Sequence, residues 1–283
     1  MRLSRRQLLV LTTLAAQPAS HAARPLRLVS IGGALTELVY ALGAQGTLVG
    51  VDSTSLYPAA AQALPIVGYA RTLAAEGLLS LNPSLIVATE DAGPPAVLRQ
   101  LEAAGVPLHV LAAEHRFEGL IARSLKLGAL LDRPAEAQAL AMRLAADWRA
   151  SLATVERLSS TGPAPRVLFI LSHGMNQLRI GGQGTAADAM LSYAGARNAL
   201  QGVTGYKPLT PEAVIAAAPD VILATEQGLL AIGGIDGLLK LPGLAQTPAG
   251  RARRVLAPEA MALLGFGPRL PQALATLAQG LHP

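Results

Sequence analysis

Gly68-Tyr69-Ala70-Arg71 places a phenol and a guanidinium two residues apart, just past a short apolar run at 65–67. A phenolate is a hard anionic oxygen donor suited to ferric iron. A free tyrosine ionises only near pH 10, so a nearby cation is needed to make the phenolate cheap. Arg71 can supply that charge, or pair with a carboxylate of a ligand. The alternative is a loop tyrosine packed on the surface, and spacing alone leaves both open. Ser172-His173-Gly174-Met175 follows directly on the apolar run 166–171. His173 can ligate a metal or haem iron, donate a hydrogen bond, or be an ordinary polar loop residue.

Two glycine loops precede helical patterns, Gly32-Gly33 and Gly181-Gly182-Gln183-Gly184-Thr185. Both present backbone N–H groups at a helix start, where anions bind. Neither has dinucleotide or P-loop spacing, so they are read as shaping the floor of a cleft or admitting a ligand carboxylate. The remaining histidines (His21, His109, His115 and His282) are scattered without paired spacing, which argues against a zinc or manganese site. His109 lies in an apolar run, and His115 and His282 have no partner nearby in the sequence. There is no cysteine, hence no disulfide and no thiol chemistry. No nucleophile elbow and no defensible acid–base pair is present, so nothing argues for an enzyme.

The elements that must position these groups repeat. Residues 76–90 and 212–226 each open on a glutamate, run through a short apolar helix to a proline seven residues later, and continue into a strand closing on Ala-Thr-Glu. A Gly-Tyr pair precedes each copy, Gly68-Tyr69 and Gly205-Tyr206. The pattern predicts two related α/β lobes in tandem, with a ligand cleft between them. In the first lobe, strands at 26–31, 47–51, 65–67, 84–88 and 107–111 alternate with helices at 35–42, 73–81 and 94–104, and a further helix covers 117–131. Short apolar strands alternating with helices predict a parallel sheet covered on both faces.

From Ala135 to about Leu158 there is neither glycine nor proline, which predicts a helix of roughly 24 residues and about 36 Å. Such a helix between lobes is a stiff spine and not a flexible linker. The second lobe is expected to hold strands at 166–171, 220–224 and 254–257, helices at 185–194 and 211–217, a glycine-rich stretch to Gly243, and a terminal helix from about Pro268. The expected organisation is therefore a signal peptide at 1–22, an N-terminal lobe at 26–133, a linking helix at 134–160 and a C-terminal lobe at 165–283.

Arg2, Arg5 and Arg6, the apolar stretch 8–16 and Ser20-His21-Ala22 form an export signal, by the general route or by the twin-arginine route. That segment holds three of the 23 basic residues and none of the 18 acidic ones, which leaves a net charge near +2. This is no footprint for nucleic acid. With half its residues hydrophobic but only nine aromatic, the chain must build its cores from Leu, Val, Ile and Ala.

The stretch Leu56-Tyr57-Pro58-Ala59-Ala60 … Leu64-Pro65-Ile66-Val67-Gly68-Tyr69-Ala70-Arg71 … Ala75-Glu76-Gly77 resembles the periplasmic haem-binding proteins of bacterial ABC haem importers. So do 27–37, Gly184-Thr185-Ala186-Ala187-Asp188 and Gly205-Tyr206-Lys207-Pro208-Leu209. The resemblance implies two Rossmann-like α/β lobes joined by one long rigid helix, with haem held in the cleft as a transported ligand and no free metal ion. It implies Tyr69 as the iron ligand, Arg71 as partner of the phenolate or of a ligand carboxylate, and His173 as a second ligand or second-haem contact. Tyr206, Gly32 and Gly33 fall on the cleft wall. Glu76 and Glu212 correspond to the lobe-tip glutamates that dock onto an inner-membrane permease and its ATPase. The protein is expected to be periplasmic and monomeric. A cobalamin or ferric-siderophore carrier of the same superfamily is the alternative, and a periplasmic α/β enzyme using His173 is the alternative from another class.

Overall fold

A computed structural model describes residues 25–160, 162–172 and 178–283. The segment expected to be an export signal and His173 lie outside the described residues. The N-terminal lobe is built on four parallel strands, β1 (Leu28–Ile31), β2 (Leu48–Val51), β3 (Leu85–Thr89) and β4 (Leu108–Leu111), in the order β2-β1-β3-β4. Helices α1 (Gly33–Ala41), α2 (Ala75–Leu79), α3 (Pro95–Ala103) and α4 (Phe117–Leu130) complete it. Every residue of β1 and β3 is buried, which accounts for their unbroken apolar character. Residues 65–67, expected as a strand, make only a single bridge from Ile66 to Val51.

Helix α5 (Pro134–Ser159) spans 26 residues, with Pro134 in its first turn, where a missing N–H costs nothing. Ala137, Leu140, Ala141, Leu144, Trp148, Ser151 and Val155 form its buried stripe. Trp148 stacks on Phe117 of α4 at 4.9 Å and meets the edge of Tyr193 at 4.8 Å. The spine is thus wedged between the lobes by a large share of the chain's few aromatics. One apolar cluster runs from Leu28 and Leu120 through Leu144 and Trp148 to Phe169 and Leu274. Among the described residues no helix is long and apolar enough to cross a membrane.

The C-terminal lobe comprises β5 (Arg166–Ser172), β6 (Leu178–Gly181), α6 (Ala186–Tyr193), β7 (Arg197–Asn198), β8 (Tyr206–Pro208), α7 (Pro211–Ala217), β9 (Val221–Ala224), α8 (Glu226–Ala231), α9 (Gly234–Leu239), α10 (Pro248–Arg251), β10 (Val255–Leu256), α11 (Ala260–Leu264) and α12 (Leu270–Leu281). Its sheet runs β10-β9-β5-β6-β8, with β7 also on β5. In this lobe β10, β9, β5 and β7 pair in parallel, and β6 runs antiparallel to both β5 and β8; the parallel sheet expected for the first lobe is the one its four strands form. The stretch before Gly243 is not merely a glycine-rich loop, because Thr225 caps α8 and Gly233 starts α9 from a left-handed conformation.

After β10 the chain crosses back to the N-terminal lobe. A Cβ on Gly267 would sit 3.4 Å from the Cα of Ala34 in α1, so close packing favours glycine there. Arg269 donates from Nε at 2.9 Å and from Nη2 to the carboxylate of Glu37 in α1, and from Nη2 at 2.8 Å to Glu259. Its guanidinium also lies 4.2 Å from the ring of Tyr57. Helix α12 then packs along α5. The lobes are therefore joined by the spine and by this second, ionic clasp.

Candidate functional site: the interlobe cleft

The β2-β1-β3-β4 order reverses direction between β1 and β3, and ligands of open α/β sheets bind beyond strand ends at such a point. Gly32 and Gly33 leave β1 there, and Thr89 and Asp91 leave β3. Gly32 has φ 116°, and a Cβ on it would press to 2.7 Å of Thr89; one on Gly33 would meet the Thr54 carbonyl at 2.4 Å. No side chain fits at either position, so the backbone itself forms that part of the floor. From the other lobe, the ends of β5 (Leu171, Ser172) and β9 (Thr225), together with Gln227 and Gly228 of α8, face the same space. Met261 and Leu264 of α11 close one side. The result is a cavity of about 340 Å³ lined by both lobes.

Tyr69, Arg71 and Tyr206 all line it. Tyr69 is half-buried, and its hydroxyl has no hydrogen-bond partner among the described residues. Arg71 is bound to Asp91, with Nε and Nη2 donating to Oδ2 at 2.9 and 2.6 Å. Burial opposes the charge on Arg71, but Asp91 and the nearby phenols Tyr69 and Tyr206 lift its pKa above the ordinary value. Burial likewise works against the Asp91 carboxylate, yet hydrogen bonds from Thr89 and Arg71 hold its pKa below the usual range. Tyr206, at the head of β8, packs on Phe169 and interacts with Thr185; burial raises its phenol above 10, with Arg71 and Thr185 opposing.

Sequence reasoning missed Asp91, Arg123, His115 and the whole α11 wall. Asp91 follows the recurrent Ala-Thr-Glu directly, a signal that was available. His115 is not isolated as expected: it lines the cavity, with its ring 5.5 Å from Phe266. His282 reaches the Ala194 carbonyl at 3.0 Å. Glu76 and Glu212 lie away from the cavity, exposed in the first turns of α2 and α7, without an ion-pair partner among the described residues. No cluster of three or more potential metal ligands occurs among the described residues.

Comparison with known proteins matches this architecture. The structure is similar to the apo form of the periplasmic haem-binding protein RhuT from Roseiflexus sp. RS-1, with a TM-score of 0.87 and 43% identity over 91% of this chain and 98% of that one. It is similar to the periplasmic haem-binding protein BhuT in complex with two haems, with a TM-score of 0.85 and 48% identity over 90% and 97% of the two chains. Among curated proteins it is 25% identical to the uncharacterised ABC transporter substrate-binding lipoprotein YvrC of Bacillus subtilis, over 92% of this chain and 81% of the relative. It is 24% identical to the vitamin B12-binding protein of Vibrio campbellii, over 72% of each. These relatives are binding proteins and not enzymes, which removes the enzymatic alternative. Residues 28–259 match the periplasmic binding protein family, and the chain belongs to that family.

Proposed function

We propose that this protein captures haem in the interlobe cleft and delivers it to an inner-membrane ABC importer. The observation that carries the reading is Tyr69. It is a phenol without a hydrogen-bond partner among the described residues, on the wall of a cavity lined by both lobes, with a guanidinium two residues on. The whole-length likeness to proteins named for haem binding, at 43% and 48% identity, supports the same ligand. Tyr69 is the iron ligand in this reading, and Arg71 partners its phenolate or a haem carboxylate. His173 provides a second ligand or contacts a second haem. Tyr206, Gly32 and Gly33 form the wall, and Glu76 and Glu212 meet the permease. Residues 1–22 direct export to the periplasm and are then removed, leaving lobes at 26–133 and 165–283 around the helix 134–160. The carrier acts as a monomer.

A cobalamin carrier would fit the curated relatives named for vitamin B12, such as that of Vibrio campbellii at 24% identity, against 43% and 48% for the two haem-binding structures compared above. Absorption titration with hemin and with cyanocobalamin separates the two. Hemin should bind with a phenolate-to-iron charge-transfer band that Tyr69→Phe abolishes, and cyanocobalamin should not bind. An unchanged hemin spectrum and affinity in Tyr69→Phe would overturn the axial assignment.

A further inference from the structure

Arg123 borders the cleft from α4, yet it is only 4% exposed. Its Nη2 donates to the Phe266 carbonyl at 2.6 Å, and its Nη1 reaches the Ala112 carbonyl at 3.5 Å, the limit of a hydrogen bond. Its Nε is buried with no hydrogen-bond partner among the described residues. A guanidinium cannot shed its proton, so the charge stays. Two neutral carbonyls do not cancel it, and an incompletely paired buried charge is expensive. The nearest acidic charges do not bond to it: Glu90 and Glu114 act only through space, and Glu114 is already paired with Arg116. Arg71, the other arginine on the cavity wall, has Asp91, and Arg269 of the interlobe clasp has Glu37 and Glu259. Arg123 alone among the three is dehydrated, charged and short of an anion. A negative group brought within reach of Arg123 would relieve that cost.

We propose that Arg123 is an anion subsite of the cleft, a guanidinium held dry in the N-terminal wall to receive a carboxylate of the bound ligand. The inference rests on the haem reading, in which that carboxylate is a propionate. It fixes the orientation of the porphyrin, one acid edge lying toward α4 and His115 and not toward solvent.

The test compares hemin and iron-free protoporphyrin IX with their dimethyl esters, in the wild-type protein and in Arg123→Gln. Glutamine keeps a donor for the Phe266 carbonyl but carries no charge. Charged hydrogen bonds of this kind are worth about tenfold to a hundredfold in affinity. The diacids should bind the wild type by that factor more tightly than the diesters, and Arg123→Gln should abolish most of the preference while diester binding stays within about threefold. A merely structural role would weaken diacid and diester alike, and that outcome overturns the proposal, as does an unchanged preference in the variant. Should Arg123→Gln fail to fold, Arg123→Lys supplies the same ratio; it should fall by a smaller factor, and an unchanged ratio counts against the subsite. Binding of protoporphyrin diacid without hemin would sink iron ligation but leave the subsite standing. Equal binding of hemin and its diester by the wild type would do the reverse, and failure of every porphyrin to bind removes both.

Discussion

Arg71 gives two N–H groups to one oxygen of Asp91, with Nε at 2.9 Å and Nη2 at 2.6 Å both reaching Oδ2. The cation two residues from Tyr69 is therefore already paired with a carboxylate of the protein itself. Burial of the two side chains is only partial, at 58% and 45% exposed, so solvent screens the pair, and pairs of this kind are worth about 1 kcal/mol or less. A ligand carboxylate or a phenolate can therefore compete for the guanidinium at little cost.

Asp91→Asn should release Arg71 toward the ligand and strengthen hemin binding by roughly threefold, the scale of a surface pair. Arg71→Ala should act in the opposite sense and by more, because it leaves the Asp91 carboxylate facing an anionic ligand. Calorimetric or absorption titration of both variants checks the pair. Weaker binding by Asp91→Asn would mean that Asp91 serves to orient Arg71 and not to restrain it.

Arg269 and Glu37 carry the second connection between the lobes. Glu37 is 4% exposed, and burial raises its carboxyl pKa despite the opposing pull of Arg269. Arg269→Met would strand that carboxylate without its partner, a change that typically costs about 3–5 kcal/mol. Urea unfolding should show the loss, and pairing Arg269→Met with Glu37→Leu should restore much of it. Equal stability of Arg269→Met and wild type would show that the clasp adds nothing to the fold.

Tyr206 should ionise above an ordinary tyrosine, because burial on β8 disfavours its phenolate. The folded state holds that proton more tightly than the unfolded chain does. Its contribution to stability is therefore complete below about pH 10 and is lost as pH rises through the folded value. In an alkaline absorbance titration of the ligand-free protein, Tyr206→Phe should remove intensity from the high-pH end of the tyrosinate curve. Loss from the low-pH end instead would make Tyr206, and not only Tyr69, a candidate phenolate donor.

What the sequence disclosed follows from local patterning. The matched segments 76–90 and 212–226 correspond to α2–β3 and α7–β9, and their Thr89 and Thr225 both line the cleft. The glycine- and proline-free stretch from Ala135 is α5. These features depend on period and on breakers, which neighbours in the chain dictate. Arg123 and the α11 wall depend on contacts between distant residues, such as Arg123 with Phe266 and Arg269 with Glu37. In the sequence, Arg123 is the one arginine of an amphipathic helix, and no spacing distinguishes a buried arginine from a solvated one. Likewise, Leu178–Gly181 is a strand by virtue of its antiparallel pairing with β5, a contact that local patterning does not announce.

Glu76 and Glu212 test the proposed delivery step. Each is exposed in the first turn of a short helix, where a carboxylate favours the helix dipole by under about 1 kcal/mol. A contribution that small explains neither their matched placement in the two related segments nor their lack of any ion-pair partner among the described residues. One carboxylate per lobe suits a two-fold symmetric permease, and rim charges of this kind orient and accelerate association more than they tighten it. The double variant Glu76→Ala with Glu212→Ala should keep its hemin affinity and its urea midpoint, yet lose transport in cells and stimulation of ATP hydrolysis by the reconstituted importer. Each single variant should lose less than the pair, and raised salt should weaken the wild type toward the same level. Normal transport by the double variant would reduce both glutamates to helix-start residues.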